Sequence, residues 1–293
     1  MKTLGARNIA IGNRTKQKIP NKAMYKIMLE EARRHVSESH SLAKVCLSDR
    51  PRTFALMQIV ADLAREGATA LDLGAGCGPL TFAFLSAGGG DVIAVEKSSE
   101  LCRVIDNCAH IFGFEDRILI YNRDIFDPVM KLPKNIDFVL AELIATGLLS
   151  EPMVAAMQHI RPLTHEGTLF IPEKAVSTIT LCDQRGFPIS APETYDFVDM
   201  RDVERNSVDV IATLTVRTER EKALATYVDI NTSLTYPDGG VTGEFQSLCN
   251  RLPMEITDYA LQLKQFEVEN GEEVKLRIRY EYGEEPIYVT RVI

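Results

Sequence analysis

Leu71-Asp72-Leu73-Gly74-Ala75-Gly76-Cys77-Gly78 is the stretch on which the reading of this chain turns. The apolar run ATALDLG brings the backbone as a strand to a turn of three glycines, and a helix begins from about Pro79. At such a turn a Cβ would obstruct a ligand held against the backbone. Glu96 closes the next strand, VIAVE, 22 positions after Gly74. An acid at that place accepts both ribose hydroxyls of an adenosine. The alternative is a tight strand-to-helix turn that binds nothing.

Two details separate the nucleotide cofactors. A dinucleotide site prefers GxGxxG, whose third glycine lets helix and strand pack closely, and the spacing here is GxGxG. Asp72 is awkward beside a pyrophosphate and suits a cationic amino group. Both favour S-adenosylmethionine over NAD. Asp124, in YNRDIF after a further strand, stands where an acid receives an adenine amino group, and equally where a turn former sits.

Working outward, RILIYN, IDFVLAE and GTLFIP read as strands, separated by the helical segments SSELCRVIDNCAHIFG and SEPMVAAMQHI. Strands spaced by helices of this size pair in parallel, as in a doubly wound α/β sheet. Upstream, residues 22–37 have helical apolar spacing, and Ser48-Asp49-Arg50-Pro51 announces a second helix with proline in its first turn. After Pro172 the runs VSTITL, VDVIATLTV, YALQLKQFEV, EVKLRIRYEY and PIYVTRVI predict an antiparallel sheet or small barrel. The expected organisation is a helical segment over 1–46, a Rossmann-like part over 47–175 and a β-barrel-like part over 176–293. Residues 183–207 are too long for a hairpin turn, which leaves a dimerisation arm or a surface loop.

Composition narrows the function classes. The chain has 293 residues, 45% hydrophobic and 25% charged, an ordinary globular balance that suits about two domains. No apolar stretch approaches the ~20 residues that span a bilayer. The start lacks the apolar core of a secretory signal. Six scattered cysteines without a CxxC predict reduced thiols in the cytoplasm and no structural zinc. Residues 1–34 carry nine Lys/Arg against Glu30 and Glu31, or +7, so the remaining chain sums to −15 within the net −8. Such an acidic body repels a phosphate backbone and accommodates a cationic substrate.

The LDLGAGCG and VIAVE pair resembles the class I methyltransferases that use S-adenosylmethionine, and two further segments resemble the protein arginine methyltransferase family. Leu47-Ser48-Asp49-Arg50-Pro51-Arg52-Thr53 is similar to that family's L-x-D-x-x-R-T, which implies that Arg52 grips the methionine carboxylate. Ala141-Glu142-Leu143-Ile144 through Leu149-Ser150-Glu151-Pro152-Met153 resembles its double-glutamate loop, with Glu142 and Glu151 nine apart as in the family. Gly167-Thr168-Leu169-Phe170-Ile171-Pro172-Glu173 resembles the entry into its C-terminal barrel. The chemistry fits two acids, because a guanidinium stays protonated with its charge spread over three nitrogens. Carboxylates on two sides fix its plane, aim one nitrogen and accept the departing proton. The bland readings are a first-turn helix acid for Glu151, a solvated carboxylate for Glu142 and a surface residue for Arg52.

The chain also departs from the family. It has no tryptophan, and its five histidines (35, 40, 110, 159 and 165) all precede the barrel half, so the family's Thr-His-Trp loop is missing. Asp49 thereby loses its histidine partner. The family's aromatic Y-F-x-x-Y motif is not recognisable before Leu47, and Tyr25 is the candidate replacement. The losses fall on the substrate side, which implies a guanidino N-methyltransferase whose substrate is free arginine or a small guanidino metabolite. An Arg-rich peptide, another small-molecule methyltransferase or cyclase, and a non-catalytic cofactor-binding partner subunit are the alternatives. The resemblance also implies a possible homodimer. No metal, nucleic acid or membrane partner is expected.

Overall fold

The computed structural model describes residues 20–37, 41–128, 132–134, 136–237, 241–242, 249–253, 265–284 and 287–292. Most of the basic start therefore lies outside the described residues, as does the greater part of YALQLKQFEV.

Ala70–Leu73 forms β1, with all four residues buried, as befits a strand covered on both faces. It pairs in parallel with β2 (Val92–Val95) on one side and β4 (Ile136–Ala141) on the other. With β3 (Ile118–Tyr121) and β5 (Thr164–Ile171) at the edges, the strand order is β3-β2-β1-β4-β5. Parallel neighbours require crossovers, and α4 (Pro79–Ser86), α5 (Ser99–Phe112) and α6 (Met153–Ile160) supply them. The chain winds outward from β1 and then returns to its other side. That reversal opens a crevice beyond the carboxyl ends of β1 and β4.

The glycine turn delivers α4 into the core. Gly78 is left-handed (φ 82°) at the helix start, Pro79 follows in the first turn, and Leu80 through Leu85 are buried. A Cβ at Gly78 would lie 2.8 Å from Phe82 Cε2. Gly78→Ala combines the left-handed penalty with that clash and is expected to cost about 2–3 kcal/mol of stability, measured by denaturant unfolding.

Three helices precede the sheet: α1 (Asn21–His35), α2 (Ser41–Ser48) and α3 (Arg50–Leu63). The Asp49 side chain caps α3 by accepting from the Arg52 N–H at 3.5 Å, which gives that acid a role without a histidine. Helix α2 was not anticipated from the sequence. Tyr25 is buried between α1 and α3, with its ring 4.9 Å from that of Phe54, and it is not among the residues lining the crevice.

Beyond a cis Ile171–Pro172 peptide the architecture turns antiparallel. One sheet is built on β9 (Lys222–Thr235), which pairs with β6 (Lys174–Asp183), β10 (Val241–Thr242), β11 (Cys249–Pro253) and β12 (Phe266–Glu269). The other has the order β14-β13-β8, formed by β8 (Ser207–Thr215), β13 (Glu273–Glu281) and β14 (Tyr288–Val292). Ile179, Leu181, Val228 and Ile230 of the first sheet share a core with Val208, Leu214, Leu276 and Ile278 of the second. Residues 183–207 are not an arm. They contain β7 (Glu193–Asp199), which pairs along β6, with the buried Tyr195 and Val198 pointing inward. Among the described residues no helix is long and apolar enough to cross a membrane.

Candidate active site

The crevice at the strand ends holds a cavity of about 310 Å³, and Arg52, Asp72, Gly74, Gly76, Glu96, Asp124, Glu142 and Glu151 all line it. The eight residues singled out in the sequence thus converge from α3, from the ends of β1, β2, β3 and β4, and from the segment before α6.

Asp72 is 2% exposed, and its Oδ2 accepts from the Thr81 hydroxyl at 2.6 Å and the Thr81 N–H at 3.1 Å. Burial nevertheless pushes its carboxyl up to about 7, the Thr81 bonds opposing and the Glu96 charge adding. Glu96 is held by the Gly76 N–H at 2.9 Å and the Ser98 N–H at 2.8 Å, one on each oxygen. Each carboxylate oxygen keeps a second lone pair for a hydroxyl donor. At Gly74 (φ 65°) an added Cβ would stand 2.5 Å from Leu143 Cδ2. Asp124 is exposed and accepts from the Phe126 N–H at 2.9 Å, so it shapes a turn while bordering the cavity.

Arg52 is buried, not a surface residue. Its Nη2 pairs with Glu142 and donates to the Ile144 carbonyl at 3.2 Å. Burial draws the guanidinium below its usual value, and Cys46, Asp49, Tyr236 and Glu151 oppose the shift. Glu151 is half-buried in the same cavity, which raises its carboxyl, with Lys97 and Arg52 acting the other way. Arg52 is thus ion-paired with Glu142, and its charge also acts on Glu151.

Sequence reasoning missed part of the lining. Ala43, Cys46 and Leu47 of α2 border the cavity, as do Lys97 and Leu143. Helix α2 is only eight residues long, too short for a periodic pattern to stand out, whereas Lys97 and Leu143 adjoin Glu96 and Glu142 and were findable by proximity. Among the described residues no cluster of three or more His, Cys, Asp or Glu is placed to hold a metal.

Here a parallel sheet with its crevice at the switch point is joined to an antiparallel part built of two sheets. Three solved structures match it. The Trypanosoma brucei PRMT1 enzyme–prozyme heterotetrameric complex with AdoHcy aligns at TM-score 0.64 and 16% identity, over 84% of this chain and 95% of that one. PRMT6 bound to SAH aligns at 0.66 and 11%, and PRMT6 alone at 0.70 and 12%, each over 86% of this chain and 99% of that one. At such identities the shared property is the fold.

No protein-family profile matches the chain. A curated relative is the arginine N(omega)-methyltransferase of Streptomyces achromogenes subsp. streptozoticus, 32% identical over 132 residues. The match covers 44% of this chain and 36% of the relative, about a third of that protein's length.

Proposed function

We propose that the chain is an S-adenosylmethionine-dependent N-methyltransferase acting on a guanidino group, with free arginine or a small guanidino metabolite as substrate. The observation that carries this is the cavity itself. The cofactor set read from the sequence and both acids of the double-glutamate loop share one crevice, with Arg52 tying Glu142 to it. The named activity of the Streptomyces relative and the AdoHcy and SAH bound in two fold neighbours support it.

S-adenosylmethionine supplies, when bound, a methyl group activated on a sulfonium. The residues present fit it. Gly74 and Gly76 keep the turn clear of side chains, Glu96 takes the ribose hydroxyls and Asp124 faces the adenine amino group. Arg52 takes the methionine carboxylate and Asp72 its ammonium. Glu142 and Glu151 then hold the guanidinium from two sides, draw its charge from the reacting nitrogen and accept the proton it loses. The same proposal divides the chain at about residue 175 into cofactor and barrel parts, in a cytoplasmic enzyme. It includes a homodimer formed without an arm at 183–207, which a monomeric solution mass would remove.

Methyl transfer from isotope-labelled S-adenosylmethionine, with free arginine and an arginine-rich peptide offered in parallel, tests the proposal. Labelled free arginine is expected. Label confined to the peptide would make the substrate a protein, and label in neither, with the cofactor product still bound, would favour another acceptor or a partner-subunit role.

Asp72 adds a pH dependence. Its folded value near 7 exceeds the unfolded value, so its contribution to stability is complete below about pH 4 and is lost as pH rises through about 7. An ammonium placed against it prefers the carboxylate, so binding expels the proton. Affinity for S-adenosylhomocysteine should rise about tenfold per unit from about pH 5 to about pH 7 and then level. Calorimetric titration in buffers of different ionisation enthalpy reads this, and Asp72→Asn should flatten it.

A further inference from the structure

The loop that carries both acids, residues 142–151, is pinned from two directions. On the sheet side Arg52 holds the Ile144 carbonyl. On the barrel side Gly147 donates its buried N–H to Thr232 Oγ1 at 2.7 Å, and the Leu148 carbonyl accepts from the Gly283 N–H at 2.9 Å. Leu149 completes the attachment by entering the barrel core. Gly147 sits at φ 64°, which disfavours any side chain, and a Cβ there would come within 3.3 Å of the Tyr195 hydroxyl, so the loop backbone lies close against the barrel.

Thr232 is the unusual member of this set. It faces inward on β9 between Ile230 and Leu234, and all three are fully buried. A valine would suit the apolar pattern better, since a buried hydroxyl costs free energy unless it is bonded. Its bonds go to the Gly147 amide and to Ser177 Oγ at 3.1 Å, itself buried on β6. The hydroxyl thus accepts from the one loop amide midway between Glu142 and Glu151, and Ser177 fixes its rotamer.

We propose that Thr232 is a positioning residue for guanidino methylation: by holding the Gly147 amide, it sets the height at which the barrel presents Glu142 and Glu151 to the cavity. The residue does not line the cavity, so it acts on the reaction through the loop. This rests on the function proposed above and extends it, because it gives the barrel a part in aligning the acids.

The test compares Thr232→Val, which keeps the shape and removes the acceptor, with Thr232→Ser, which keeps the acceptor. The readouts are hydrogen exchange over residues 142–151, affinity for S-adenosylhomocysteine, and kcat and KM with the guanidino acceptor. For the valine variant, kcat is expected to fall about 10- to 100-fold, because small displacements of positioning groups cost that much. Exchange over the loop should quicken about tenfold while cofactor-product affinity stays within about twofold, since the opening is local. Serine should restore both loop protection and kcat. A valine variant with wild-type turnover and protection would overturn the proposal, as would cofactor affinity falling in step with kcat or a serine variant as impaired as valine. Should the wild-type chain methylate no guanidino acceptor, the function proposed above falls. Loss of loop protection in valine and its return in serine would still support the anchor.

Discussion

Glu142→Gln is expected to lower turnover on the guanidino acceptor by about 10²–10⁴-fold, the range for removing a positioned base. Glu142 closes β4 at the mouth of the crevice and is paired with Arg52. Glutamine keeps the shape and one acceptor oxygen toward Arg52, so binding of S-adenosylhomocysteine should stay close to that of wild type. What is lost is the negative charge that fixes the guanidinium and draws its positive charge off the reacting nitrogen. Single-turnover methyl transfer with bound cofactor isolates this step. Unchanged turnover would sink the guanidino assignment, because a neutral amide has no comparable hold on a permanent cation.

Arg52→Met is the second large effect, and its signature is opposite. The guanidinium lies under the cavity, bonded to Glu142 and to the Ile144 carbonyl. Methionine fills a similar space but leaves the Glu142 carboxylate without its cation and removes the partner proposed for the methionine carboxylate. A hydrogen bond to a charged group is worth about 1.5–3 kcal/mol, so affinity for S-adenosylhomocysteine should fall about 10- to 100-fold. Turnover should fall as well, because the freed Glu142 and Ile144 let the acid loop drift. Calorimetry or equilibrium dialysis measures the first loss and saturating-cofactor kinetics the second. Wild-type affinity with reduced turnover would confine Arg52 to the loop and leave the cofactor carboxylate to another cation, with Lys97 and Arg123 on the same lining.

The two variants also separate the readings of this chain. A binding subunit without chemistry would show the Arg52 effect on affinity and none at Glu142. Another small-molecule transferase on this fold would keep its turnover in Glu142→Gln.

Much of the site was legible because it lies at strand ends. Once ATALDLG, VIAVE and IDFVLAE are read as parallel strands, the residues just past them must share one edge of the sheet. Asp72, Gly74, Glu96 and Glu142 are then neighbours by topology alone. Asp49 was readable as a helix cap from its place before Arg50-Pro51. Strand β9 was not legible, although the barrel sheet is built on it. Its inward positions include Thr226 and Thr232, both buried, so the contrast between its two faces is weak. The stretch 183–207 read as an arm or a surface loop, and not as a strand, for a related reason. A strand of seven residues, ETYDFVD, exposes Phe197 and buries Asp196, which inverts the usual pattern. Asp196 is tolerated inside because Arg205, Tyr280 and Tyr282 all donate to it.

By itself the sequence determined the winding of the sheet, the glycine turn and the set of residues brought to its edge, because apolar periodicity and turn chemistry act over a few residues. Only the tertiary structure decided that Arg52 is buried against Glu142, that α2 borders the cavity, that Tyr25 belongs to the core and that the barrel holds the acid loop through Thr232. Each of these joins residues separated by tens of positions. A side chain's partner at that distance depends on how whole elements pack, and no local pattern in the chain encodes it.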